Sequence, residues 1–94
     1  MKLQQQKDII ALYNQYNNTL KYNRAVIKSN LKYYMDISQH KINELAQLTG
    51  IAVHSLYQMR KDYTHYCPEF IPALLICDCL KISITEILKP LKEV

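Results

Sequence analysis

Residues 53–61 read Val-His-Ser-Leu-Tyr-Gln-Met-Arg-Lys, a set suited to binding rather than to bond making. On a helix with Leu56 and Met59 turned inward, Val53, His54, Tyr57, Gln58 and Lys61 face outward, and Ser55 lies nearer the rim. A glutamine amide pairs with an adenine edge, and a valine methyl packs against a thymine methyl. Gln58 and Val53 are therefore candidate base readers. His54 can donate to a base or a phosphate, and Tyr57 can reach a backbone or pack beside Met59. Lys61, Arg60 and Lys41 are better suited to phosphate, and Ser55 and the α-helical row Lys28 and Lys32 join them as candidates.

Other chemistry finds little support. His40, His54 and His65 lack metal-ligand spacing, and Cys77-Asp78-Cys79 sets two thiols one residue apart. On a helix those thiols point in different directions and cannot readily share a metal. No Ser-His-Asp or Cys-His arrangement has a supporting context. No catalytic residue, metal site or cofactor is expected, and the chain is not read as an enzyme.

The elements that must position these residues are helical. The chain has 94 residues, one Gly, three Pro and 49% hydrophobic residues, which favours one packed domain over disorder or a turn-rich β fold. Strand alternation is weak, and helical periodicity recurs. A first helix over residues 3–20 carries Leu3, Ile9 or Ile10, Tyr13, Tyr16 and Leu20. A second carries Val26 or Ile27, Leu31, Tyr34 and Met35, with Lys21, Arg24, Lys28 and Lys32 recurring beside them, and is expected to fray at Asp36–His40. Short helices follow at 42–49 and 53–61, then a polar and aromatic loop at 62–68. Pro68 and Pro72 bracket the start of a helix running to Lys81. Ser83 with Glu86 suggests a capping box for a last helix, whose apolar face is Ile84, Ile87, Leu88 and Leu91.

Gly50 separates the two short helices and permits a positive φ. Ala46 is small where two helices would cross closely. Leu45, Ile51, Leu56 and Met59 fill the angle between them. This is a helix-turn-helix, whose second helix can enter a major groove.

The run Asn43-Glu44-Leu45-Ala46-Gln47-Leu48-Thr49-Gly50-Ile51 resembles the helix-turn-helix of the phage repressor and Cro-like family, the XRE-type transcriptional regulators. Asn30-Leu31-Lys32 and Met35 are similar to that family's first helix. The segment from Leu74 to Leu88 is similar to its fourth and fifth. The resemblance covers residues 24–90 and implies an all-α, compact five-helix repressor-like domain, commonly dimeric on a palindromic operator. Residues 1–22 fall outside it as an additional N-terminal helix, and residues 23–94 form the DNA-binding domain. Several positions depart from the family pattern. Gln39 stands where Gly is frequent, His40 where an apolar residue is usual, and Lys41 and Ala52 where Ser or Thr often caps. Ile42 replaces a frequent Gln.

The expected function is sequence-specific binding of double-stranded DNA by a homodimer that represses transcription, with a phage or other mobile element as a plausible home. The rival is a helical protein-interaction module, such as an antitoxin or accessory protein, binding its partner through the helical bundle or the aromatic N-terminal helix. The formal charge of +4 is uneven: +4 over residues 1–40, +1 over 41–66 and −1 over 67–94. That asymmetry suits an anionic partner at one end. The opening MKLQQQKD lacks the apolar stretch of an export signal, no run is long enough for a membrane span, and three cysteines lack a disulfide framework. A cytoplasmic chain with no membrane partner is expected.

Overall fold

The computed structural model describes residues 3–61 and 66–90, with side chains from Asp8 onward. Five α-helices and a short 3-10 helix follow one another: α1 (Leu3–Tyr22), α2 (Arg24–Ser38), α3 (Ile42–Thr49), α4 (Val53–Arg60), α5 (Phe70–Leu80) and the 3-10 helix Ile84–Leu88. The fold is all-α, and no strand occurs among the described residues.

Helix α1 presents Ile9, Leu12, Tyr16 and Leu20 to the bundle, a spacing of three or four residues that lines one helical face. Tyr13 and Ile10, the other candidates for that face, are exposed. The Tyr13 ring nevertheless meets Phe70 edge-on, 5.4 Å between centroids. Tyr16 is fully buried, and its hydroxyl donates to the Pro68 carbonyl at 2.6 Å. Helix α1 thereby packs on α2, α5 and the 3-10 helix. The side chain of Leu3 lies outside the described residues.

Helix α2 is the central strut. Ile27, Leu31 and Met35 are buried along one side, with Tyr34 half-buried beside them. Asn30 is buried among them, and its amide donates to the carbonyls of Lys89, at 2.5 Å, and Glu86, at 3.4 Å. That ties the C-terminal segment to α2. Helix α2 ends at Ser38, inside the Asp36–His40 stretch where fraying is expected, and stays helical up to that residue. Asp36 is anchored by Lys32 one turn earlier in the helix, and the Ser38 hydroxyl donates to the Met35 carbonyl at 2.8 Å while accepting from the His40 N–H at 3.3 Å.

The chain leaves α2 through Gln39 at φ 62°, a left-handed conformation. Position 39 is where the related family often carries Gly, and the backbone explains that preference. Gln39→Gly is therefore expected to stabilise the fold by about 1 kcal/mol, raising Tm by about 4–8 °C. Thermal unfolding followed by circular dichroism checks this, and an unchanged or lower Tm would count against it.

Helix α3 begins at Ile42 and ends in Gly50, whose φ is 75° and whose N–H donates to the Ala46 carbonyl at 2.9 Å. A Cβ at position 50 would meet nothing within 4 Å, so the demand for glycine is conformational rather than steric. Helix α5 carries Pro72 in its first turn, where a missing N–H leaves no bond unmade. It closes through Lys81, also left-handed, with Lys81 N–H donating to Asp78 and Ile82 N–H to Cys77.

The last element differs from the expected capped α-helix. It is a five-residue 3-10 helix. Ser83 accepts from the Thr85 N–H at 3.3 Å, and the Glu86 side chain instead faces Lys89. Pro90 follows two residues after Leu88, and so short a segment has no room for successive i→i−4 bonds. Leu91 lies outside the described residues, as do residues 62–65 of the expected loop.

Candidate nucleic-acid interface

Helices α3 and α4 pack against each other, with α2 behind α4 and α5 behind α3. Leu45 and Leu56 are fully buried and Met59 is nearly so, in one cluster with Ile27, Leu31 and Met35. Ala46 and Ile51 are half-buried against that cluster. Thr49, a residue with no role assigned from sequence, closes the turn. Its hydroxyl donates to the Leu45 carbonyl at 2.6 Å and accepts from the Ile51 N–H at 3.2 Å.

Each short helix lacks the usual hydroxyl cap. At α3, Glu44 compensates by accepting from the Lys41 N–H at 3.0 Å, the reciprocal half of a capping box. Lys41 itself is exposed. At α4, Ala52 supplies no side-chain bond.

The outer face of α4 presents Val53, 38% exposed, Tyr57, 49% exposed, and an exposed His54. Gln58 is half-buried, with its amide nitrogen 3.4 Å from the His54 Nε2. Ser55 is half-buried, at the edge of this face. Lys61 is exposed, and its ammonium sits 6.0 Å from the Tyr57 ring centroid. A valine, an imidazole, a phenol and an amide therefore share one rigidly mounted surface, flanked by cations.

The remaining cations have bonds within the protein. Arg60 donates to Asp36 through Nε at 3.1 Å and through a terminal nitrogen at 2.8 Å. Lys32 donates to the other Asp36 oxygen at 3.2 Å. Lys28 donates to the backbone carbonyls of Gln58 and, at 2.7 Å, Met59. The Lys32–Asp36 pair has a sequence signal in its i, i+4 spacing on a helix. Arg60 and Lys28 join residues 24 and about 30 positions away. No local pattern could have shown either.

Burial alone would raise the Asp36 carboxyl, but hydrogen bonds from Lys32 and Arg60 outweigh it and hold the group below the usual carboxylate range. A depressed carboxylate stabilises the fold above its unfolded pKa, about 3.9, and loses that contribution as pH falls through the folded value. All three side chains are about a third exposed, so solvent screening limits the effect to about 1 kcal/mol or less. Asp36→Asn is expected to lower the urea midpoint slightly at pH 7. That difference should shrink as pH falls through the folded value and vanish once the Asp36 carboxyl is protonated. A gap that persists in acid would contradict the ion-pair origin.

Burial pushes the Cys77 thiol up to about 12 and raises Cys67 as well. Among the described residues, no three His, Cys, Asp or Glu side chains gather as a metal site. No helix among them is long and apolar enough to cross a membrane.

A family model described as a Cro/C1-type HTH DNA-binding domain matches residues 30–93, more than half of the chain. The chain belongs to the Cro/C1-type helix-turn-helix family. No curated protein and no solved structure matches it. As a member of this family it is a DNA-binding regulator, and α3, Gly50 and α4 are its helix-turn-helix. The match begins at Asn30, part-way along α2, so α1 and the segment bearing Lys28 precede it.

Proposed function

We propose that this chain represses transcription by binding a palindromic operator as a homodimer, with α4 of each copy in a major groove. The observation that carries the reading is the outer face of α4. It offers Val53, His54, Tyr57 and Gln58 together on a helix backed by the buried Leu56 and Met59. Val53 suits a thymine methyl and Gln58 an adenine edge. Lys41, Ser55 and Lys61 suit the flanking phosphates. Promoter occlusion suffices as the mechanism, because a bound dimer blocks access without any further activity.

Homodimer formation draws support from α5, where Ile71 and Leu75, four residues apart, are 59% and 43% exposed. In this reading residues 23–94 carry the DNA contacts, and residues 1–22 buttress them through Tyr16.

A salt titration with competitor DNA tests the proposal. Affinity for the preferred site should fall steeply as salt rises and should exceed that for random duplex by about 10³-fold or more. Equal affinity for both duplexes would overturn it. Gln58→Ala sharpens the test: discrimination at one base pair should relax by about 1–3 kcal/mol, with the fold intact. Unchanged relative affinities across operator variants would remove Gln58 from the reading surface.

A further inference from the structure

We propose that Lys28 is a positioning residue for the reading helix, holding the last turn of α4 from α2 and acting on sequence discrimination through that turn. The inference rests on α4 being the DNA-contacting helix.

Helix α4 has eight residues, too few to hold its own shape in water. Its final carbonyls have no partners within the helix. Lys61, the residue that follows, is extended at φ −88° and ψ 131°, so no left-handed turn folds back to satisfy them. The Lys28 ammonium takes this role by donating to Gln58 and Met59. A cation at this end also complements the helix dipole, and half-burial of Lys28 limits screening by solvent.

The geometry of α2 extends the grip. Lys28, Lys32 and Asp36 recur every fourth residue and lie in one row. Lys28 at one end holds the α4 backbone, and Asp36 at the other holds the Arg60 side chain. Gln58 and Tyr57 belong to the turn so held. Base reading tolerates errors of about 0.5 Å and 10–20°, so a loosened turn degrades discrimination before it degrades folding.

Lys28→Met, Lys28→Gln and Lys28→Arg in the full chain test this. Without DNA, amide hydrogen exchange should show lost protection in the last turn of α4 for Lys28→Met, with the circular dichroism unchanged. With DNA, Lys28→Met should weaken the preferred site about tenfold, the equivalent of one charge-assisted bond. Affinity for random duplex, and the slope of log affinity against log salt, should stay as in the parent. Lys28→Arg, which keeps charge and donors, should restore discrimination. Lys28→Gln, which keeps an amide donor but loses the charge and some reach, should show a smaller loss than Met and stands in for it if Met does not fold. A phosphate contact would instead weaken both duplexes alike and reduce the salt slope by about one, which overturns the proposal. Unaltered exchange in α4 together with unaltered discrimination overturns it too. A parent chain that prefers no sequence removes the reading of α4 and this role with it. That failure is seen before any variant is compared, and the exchange measurement then reports on the clamp alone.

Discussion

Tyr16→Ala is expected to cost about 3–5 kcal/mol of folding stability, the largest loss of any single substitution considered for this fold. Tyr16 is fully buried, its ring meets Phe70 at 5.8 Å between centroids, and its hydroxyl donates across 52 residues to the Pro68 carbonyl. Removing the ring opens a cavity where α1 meets α5. Removing only the oxygen, as Tyr16→Phe, leaves a buried carbonyl without its donor and should cost about 1–3 kcal/mol. Burial, followed by the nearby Cys67 and Cys77 thiols, raises the Tyr16 hydroxyl above the ordinary tyrosine value. Its contribution is therefore full below about pH 10 and declines as pH rises beyond, because the unfolded chain loses the proton first. Urea unfolding of the three chains at neutral and alkaline pH checks both points. A Tyr16→Ala chain as stable as the parent would show that α1 is an appendage rather than part of the bundle.

Leu56→Ala is expected to cost about 2–5 kcal/mol and to abolish specific DNA binding. Leu56 is fully buried in the cluster it shares with Leu45 and Met59, where α2, α3 and α4 converge. A total stability of about 5–15 kcal/mol is typical for a domain, so this loss removes a large fraction. The functional loss should exceed the unfolded fraction. The cavity loosens the angle between α3 and α4, and the outer face of α4 is useful only if that angle is held. Binding measured at a temperature where circular dichroism shows the variant folded separates the two effects. Full affinity in a folded Leu56→Ala chain would show that the core does not set the reading geometry.

The helix pair was the most legible part of the chain. Ile42, Leu45, Gly50, Leu56 and Met59 state it in residue types alone, because burial periodicity and a glycine stop are local signals. Gln39 was half-legible: its position marked a turn, but a glutamine does not announce φ 62°. The α1 face was legible as a stripe but not in register. Ile9 and Leu12 compete with Ile10 and Tyr13 for the same side, and only packing against α5 decides between them. The last helix was half-legible: Ser83 caps it, but Glu86 faces Lys89 rather than closing the box, and the segment is a 3-10 turn ending at Leu88.

The cation assignments show a different limit. Lys28, Lys32 and Arg60 look like phosphate ligands by charge and spacing. The bonds of Lys28 to Gln58 and Met59 and of Arg60 to Asp36 depend on how α2 crosses α4, a non-local fact, whereas Lys32 and Asp36 pair within α2. Asn30 is similar. Its amide serves carbonyls more than 50 residues away, and nothing near it in sequence foretells that.

Selection of purified chain against a random-sequence duplex pool tests the central claim most directly. Enrichment of one sequence with two related half-sites in opposite orientation is expected, their centres about 10 base pairs apart or a multiple of that. Recovery of a pool no different from the starting one would contradict it.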